Sequence, residues 1–315
     1  MQNSHSWNPG MARLLKKIPA IILFLLVFYQ TGSANERISV FVSIAPQKYF
    51  VQQIGRELVD VKVMVQPGAT PHTYEPRPQQ MVALSKSKLY FAIGVAFEKI
   101  WLKKIAATNP IMKVIQTDQG IEKIPMAVHN HYNKKEKHQE RSAKAGADDH
   151  RENDRRDPHI WLSPPLVKKQ IRAVLTALQE IDPSHRDVYA ANYNQFVSRI
   201  DKLDAQLKTT FMDQQGLQFM VFHPSWGYFA HTYGIEQIPI EIEGKNPKPG
   251  QLKELIDHAK KNGIKVVFVQ PQFSAKSAAL IAKEIGGQVA FADPLSEDWL
   301  SNLHRVANKF KAALK

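Results

Sequence analysis

The sequence predicts an α/β fold in two parts, each with a mainly parallel sheet flanked by helices. Three observations carry that reading. Short β-branched and aromatic runs alternate with stretches of helical periodicity. A segment from Ser184 to Gln215 keeps apolar residues three or four apart with no Gly or Pro inside it. After Gly216 the alternation of strand-like and helix-like stretches begins again.

Taken in order, Arg37 to Ile44 (RISVFVSI) reads as a strand. Pro46 to Leu58 follows with the helical spacing of Phe50, Val51, Ile54 and Leu58. Val59 to Val65 alternates as a strand does and runs into the turn cluster Gln66-Pro67-Gly68-Ala69-Thr70-Pro71. Gln79 to Ser87 reads as a helix and Lys88 to Gly94 as a buried strand. From Val128 to Arg156 the chain is mostly charged and polar, cannot bury a core, and reads as a loop. Ser163 then starts a helix to Ile181 with Pro164 and Pro165 in its first turn, where a missing N–H costs nothing.

Asp182-Pro183-Ser184 opens the long stretch, whose apolar stripe is Tyr189, Tyr193, Phe196, Ile200, Leu203, Leu207 and Phe211. As one helix it would span about 45 Å at 1.5 Å per residue, longer than a small lobe is wide. That length suits a strut between lobes; an ordinary packed helix or a coiled-coil segment has the same spacing. Beyond it, Gln218 to Phe222, Ile264 to Gln270 and Gln288 to Ala292 read as strands. Gly250 to Asn262, Ser274 to Ile285 and Ser301 to Leu314 read as helices, the second capped by Ser274 and stopped by Gly286-Gly287. The domains expected are an N-terminal lobe over 35–182, containing the loop 128–156, a linking helix over 183–215 and a C-terminal lobe over 216–315.

Lys16 and Lys17 precede an apolar run, Ile18 to Tyr29, which is followed by Thr31-Gly32-Ser33-Ala34. A basic segment, a short apolar segment and small residues are the marks of a cleavable secretory signal, here residues 1–34. The 315 residues include no cysteine. Disulfides and thiolate metal sites are therefore excluded, and no cysteine follows the apolar run to carry a lipid, so a soluble periplasmic protein and not a lipoprotein is expected. The formal charge is +13, but part of it lies in the signal and the polar loop, and no aromatic-basic motif accompanies it. A nucleic-acid partner is not expected.

Three histidines and one aspartate occupy similar settings. His72 follows the second strand and its turn, and His159 stands in Asp157-Pro158-His159 at the end of the loop. His223 directly follows the strand Gln218–Phe222, and Asp293 follows the strand Gln288–Ala292. Ligands of open α/β sheets bind beyond the carboxyl ends of the strands. Three imidazoles and a carboxylate suit a borderline-soft divalent ion such as Zn²⁺, whereas Mn²⁺ more often draws carboxylate oxygens. Any one of the four is more often structural; taken together, their similar placement leaves a metal site and a structural reading both open on spacing alone.

The segments Gly68-Ala69-Thr70-Pro71-His72-Thr73-Tyr74-Glu75-Pro76, Asp157-Pro158-His159-Ile160-Trp161-Leu162-Ser163, Phe222-His223-Pro224-Ser225-Trp226-Gly227-Tyr228-Phe229-Ala230 and Phe291-Ala292-Asp293-Pro294-Leu295 resemble, in order, the four signatures of the metal-specific substrate-binding proteins of ABC transporters, the zinc and manganese cluster. The resemblance covers nearly the whole chain after the signal. It implies two α/β lobes joined by a single rigid helix, with a metal ion held between them by His72, His159, His223 and Asp293 and delivered to a membrane permease. His at position 223, where manganese-preferring members typically have Glu, points to Zn²⁺; Mn²⁺ and Fe²⁺ are the alternatives. Glu75 is a further candidate for lining the cleft or orienting His72. Gln270 departs from the pattern, standing where many relatives have an acidic residue.

His129, His131, His138 and His150 in the polar loop are candidates for an auxiliary metal site, set against a plain solvated linker richer in Lys and Arg than in His. His185 and His258 read as surface residues, His231 as structural or as a neighbour of the site, and Tyr74 and Trp161 as packing residues. A zinc hydrolase could also use three histidines, but no HExxH motif is present and no further acid is placed as a base. A metal-dependent adhesin has no feature of its own here. The expectation is a monomeric binding protein and not an enzyme.

Overall fold

The computed structural model describes residues 36–127, 156–242 and 245–314. The expected signal, His5 and the loop histidines His129, His131, His138 and His150 lie outside the described residues. The elements are β1 (Ile38–Val42), α1 (Ala45–Gly55), β2 (Val59–Val63), α2 (Pro78–Leu84), β3 (Leu89–Ala92), α3 (Ala96–Thr108) and β4 (Lys113–Gln116), then α4 (Pro164–Ile181) and α5 (Arg186–Phe211). The second half adds β5 (Gln218–Val221), α6 (Gly227–Tyr233), β6 (Glu236–Pro239), α7 (Pro249–Lys261), β7 (Val266–Val269), α8 (Lys276–Glu284), β8 (Gln288–Phe291) and α9 (Trp299–Ala313).

There are two four-stranded sheets, ordered β2-β1-β3-β4 and β6-β5-β7-β8. Every strand pair is parallel, so both faces of each sheet are covered by the crossover helices. The second sheet shows why its strands read as unbroken apolar runs. Phe219, Val221, Val266 and Phe268 belong to the large core, while Met220, Val267 and Val269 belong to a smaller core with Leu255, Ala259 and Ile281 of α7 and α8. Successive residues of one strand serve opposite faces.

The long helix α5 buries Tyr189, Asn192, Phe196, Ile200, Leu203, Leu207 and Phe211, close to the predicted stripe. It starts later than expected, because Pro183–His185 forms a 3₁₀ turn first. Asp182 explains the break: its carboxylate accepts hydrogen bonds from Ser184 Oγ at 2.5 Å and from Tyr189 Oη at 2.7 Å, an arrangement that competes with regular helix. The large core is continuous along α5. Trp299 of α9 meets Phe50 of α1 edge-on at 5.2 Å, and Phe310 of α9 meets Phe219 of β5 at 4.3 Å. The C-terminal helix thus packs against elements of both halves.

The sequence left β4, β6, α3 and α6 unassigned; two of them matter for function. Helix α6 is only 7 residues long, too short for a helical period to register, and β6 carries a proline at its end. Ser274 does not cap α8: the cap position is Ala275, while Ser274 Oγ accepts the N–H of Lys276 at 3.4 Å.

Candidate metal centre

Both sheets share one strand order, so each has its reversal of direction between its first and third strands, where ligands of such sheets bind. In the second sheet a polar residue stands one or two places beyond the end of each strand. His223 stands just after β5, Glu241 just after β6, Gln270 immediately after β7 and Asp293 just after β8. From the first half come His72, on the loop after β2, and His159, at the start of the 3₁₀ turn Ile160–Leu162.

Folding brings three of the expected ligands together. Among the described residues, His72, His159 and His223 each offer a ring nitrogen, all within 4.8 Å of one another. His72 Nε2 lies 3.0 Å from His223 Nε2. The ring centroids of His159 lie 5.2 Å from His223 and 6.0 Å from His72. Asp293 does not belong to this set. Its Oδ1 accepts the N–H of Leu295 at 2.9 Å and the side-chain amide of Gln272 at 3.1 Å.

Two histidines are oriented by buried carboxylates. Asp157 Oδ1 accepts both the backbone N–H of His159 at 2.8 Å and its ring Nδ1–H at 2.6 Å. The spacing of two residues allows one oxygen to take both. Glu241 Oε1 accepts from His223 Nδ1 at 2.7 Å. With the proton on Nδ1 in each ring, both Nε2 atoms are left as lone-pair donors, the form a metal needs. Asp157 is 0 % exposed and Glu241 7 %. Neither residue had been assigned a role from the sequence. Glu241 gave no signal of its own, because the 4 residues of β6 before it are too few for a period to show.

Burial and the neighbouring imidazoles of His223 and His159 push His72 down to about 3, and burial pushes His223 down as well, against the opposing pull of its bond to Glu241. At neutral pH both rings are therefore uncharged. Phe273 stacks on His223 with centroids 5.0 Å apart and planes 22° apart. The rings surround a cavity of about 20 Å³, bordered also by Pro71, Trp161, Gln272 and Phe273, with no Lys or Arg among the residues lining it. It holds one water-sized particle, so an ion must enter without its hydration shell.

Gln270 has a structural task. Its Oε1 accepts the N–H of His223 at 3.2 Å and its amide donates to the carbonyl of His223, fixing the backbone on both sides of the ring. Trp161 is buried and donates Nε1–H to the carbonyl of Pro294 at 2.7 Å, and Trp299 Nε1–H donates to the carbonyl of Trp161 at 2.7 Å. These bonds tie the His159 segment to the segment after Asp293. Tyr74 is buried, donating its hydroxyl to Gln80 at 2.5 Å. Glu75 and His231 are exposed, and Glu75 is not among the residues lining the cavity.

Residues 40–313 match the family described as the periplasmic component A of the zinc-uptake complex. The chain is 24% identical to the high-affinity zinc uptake system protein ZnuA of Bacillus subtilis over 269 residues, which are 84% of this chain and 80% of that protein. It is 22% identical to the manganese-binding lipoprotein MntA of Halalkalibacterium halodurans over 82% of this chain and 80% of that one. Among solved structures, a crystal structure of ZnuA is 43% identical, covers 89% of this chain and 100% of its own, and superposes with a TM-score of 0.79. A zinc-bound deletion mutant of ZnuA is likewise 43% identical, covering 88% and 98%, with a TM-score of 0.77.

Proposed function

The chain belongs to the family of the periplasmic component A of the zinc-uptake complex, and from that premise we propose that His72, His159 and His223 hold the ion it captures. It is a zinc-type solute-binding protein of an ABC importer. The observation that supports the ligand assignment is the convergence of three imidazoles within 4.8 Å around a cavity the size of one dehydrated ion. Neutral nitrogen donors favour Zn²⁺ over Mn²⁺ at such a site. Calorimetry on demetallated protein tests the proposal. The expected result is about one zinc per chain with manganese much weaker; comparable manganese affinity, or zinc binding that survives His72→Ala combined with His223→Ala, would overturn it.

Asp293 uses Oδ1 for Gln272 and the N–H of Leu295, which leaves Oδ2 as the oxygen it could offer an ion. Asp293→Ala decides its part. A large loss of zinc affinity makes it the fourth ligand, and a change within a few-fold leaves the fourth position to water. Transfer to a membrane permease by a monomer, and export by cleavage after Ala34, complete the proposal; the mass of the protein recovered from the periplasm checks the last. A hydrolase would need a base aimed at metal-bound water, and the two carboxylates at this site each hold an imidazole instead.

A further inference from the structure

Asp157 and Glu241 present an electrostatic arrangement that a positioning role alone does not require. Each is almost fully enclosed. Each uses one oxygen on a histidine Nδ1, while the other, Asp157 Oδ2 or Glu241 Oε2, is buried and meets no hydrogen-bond donor among the described residues. Neither forms an ion pair with Lys or Arg among the described residues: their charged-group partners are His159 and His223. The cavity between the two histidines has no cationic side chain in its lining. Two carboxylates in a low-dielectric pocket with no protein cation are costly to bury. Their charge would be balanced by an ion of charge two bound to the far nitrogens of the same two rings.

We infer that Asp157 and Glu241, without touching the ion, carry its counter-charge and make the site discriminate divalent from monovalent soft cations. Three neutral imidazoles alone would not do this, since they bind Zn²⁺ and Ag⁺ through the same nitrogens. One carboxylate comes from each half of the molecule, so the ion is balanced from both sides. The inference rests on the three-histidine reading above and goes beyond it in assigning the site's charge.

The test replaces charge while keeping shape. In Asp157→Asn and Glu241→Gln the amide oxygen still accepts from Nδ1–H, so each ring keeps its orientation. Kd values for Zn²⁺ and for Ag⁺ would be measured by competition on the full-length protein, with the absorption spectrum of bound Co²⁺ reporting whether the ligands are unchanged. Each amide variant is expected to weaken Zn²⁺ about 10–100-fold. Coulomb attraction scales with ionic charge, so the loss for Ag⁺ is roughly half as large on a logarithmic scale, and the Co²⁺ spectrum keeps its wild-type form. Equal losses for Zn²⁺ and Ag⁺, or a Zn²⁺ Kd within twofold of wild type, would overturn the inference. Wild-type protein that binds no zinc would overturn the reading beneath it instead. The two dyads lie in different halves, so if one variant does not fold the other carries the same test.

Discussion

Gly227, the first residue of α6, has a neighbour that makes it indispensable. A Cβ built on it would lie 2.6 Å from Asp157 Oδ2, 3.0 Å from Gln237 Nε2 and 3.7 Å from Ile124 Cδ1. None of the polar neighbours can yield easily. Asp157 is held by two bonds to His159, and Gln237 accepts the N–H of Trp226 at 3.0 Å and donates to the carbonyl of Pro224. Gly227→Ala should therefore cost about 1–3 kcal/mol in overpacking. The better helix propensity of Ala returns less than about 1 kcal/mol, and least at a helix's first residue. A net loss of about 1–2 kcal/mol corresponds to a fall in Tm on the order of 2–8 °C for a chain of this size. Because the displaced group is the carboxylate that orients His159, zinc affinity should fall too, by about 10–100-fold if that bond is lost. Gly250→Ala is the control: nothing lies within 4 Å of its Cβ position, and it should be neutral or stabilising by up to about 1 kcal/mol. Thermal melts of both variants and a zinc titration decide the matter. If Gly227→Ala melts no lower than Gly250→Ala and binds zinc within twofold of wild type, the steric reasoning is refuted.

Gln270→Glu removes the amide that donates to the carbonyl of His223 and sets two oxygens against each other; urea denaturation at pH 7 should show a loss of about 1–3 kcal/mol. Trp161→Phe leaves the carbonyl of Pro294 without its donor and should likewise cost about 1–3 kcal/mol in the same assay. Burial raises Glu98 from 4.5 to about 7, against hydrogen bonds from Ser43 and from the N–H groups of Ile93 and Gly94. The fold thus favours its protonated form, and the stability this gives is complete below pH 4.5 and lost as pH rises through about 7. Over that range the zinc-free protein should lose up to about 3 kcal/mol, at ~1.4 kcal/mol per pH unit. Glu98→Gln should flatten that part of the profile, and a profile unchanged by the substitution would rule Glu98 out as its source.

Much of the site could be read before the fold was seen. The parallel α/β class, the long helix, the positions of His72 and His223 after strands and of His159 at the end of the polar loop, and the resemblance of their segments to one family all follow from local patterns: strand runs, turn residues and uninterrupted spacing. Short elements escaped, because the 7 residues of α6 and the 4 of β6 are too few for a period to show. Arrangement in space was a different matter. That Gln270 clamps the His223 backbone, that Asp293 is engaged by Gln272 and Leu295, and that Gly227 must lack a side chain because Asp157 lies against it are facts about residues distant in sequence. The same holds for the pair of carboxylates: Asp157 needs only a two-residue reach to its histidine, but Glu241 meets His223 across 18 positions, where two adjacent parallel strands happen to end together. Sequence determined which side chains could bind an ion, since chemistry belongs to the residue; tertiary structure alone decided which of them meet and which carboxylates stand behind them, since distance and burial belong to the packing.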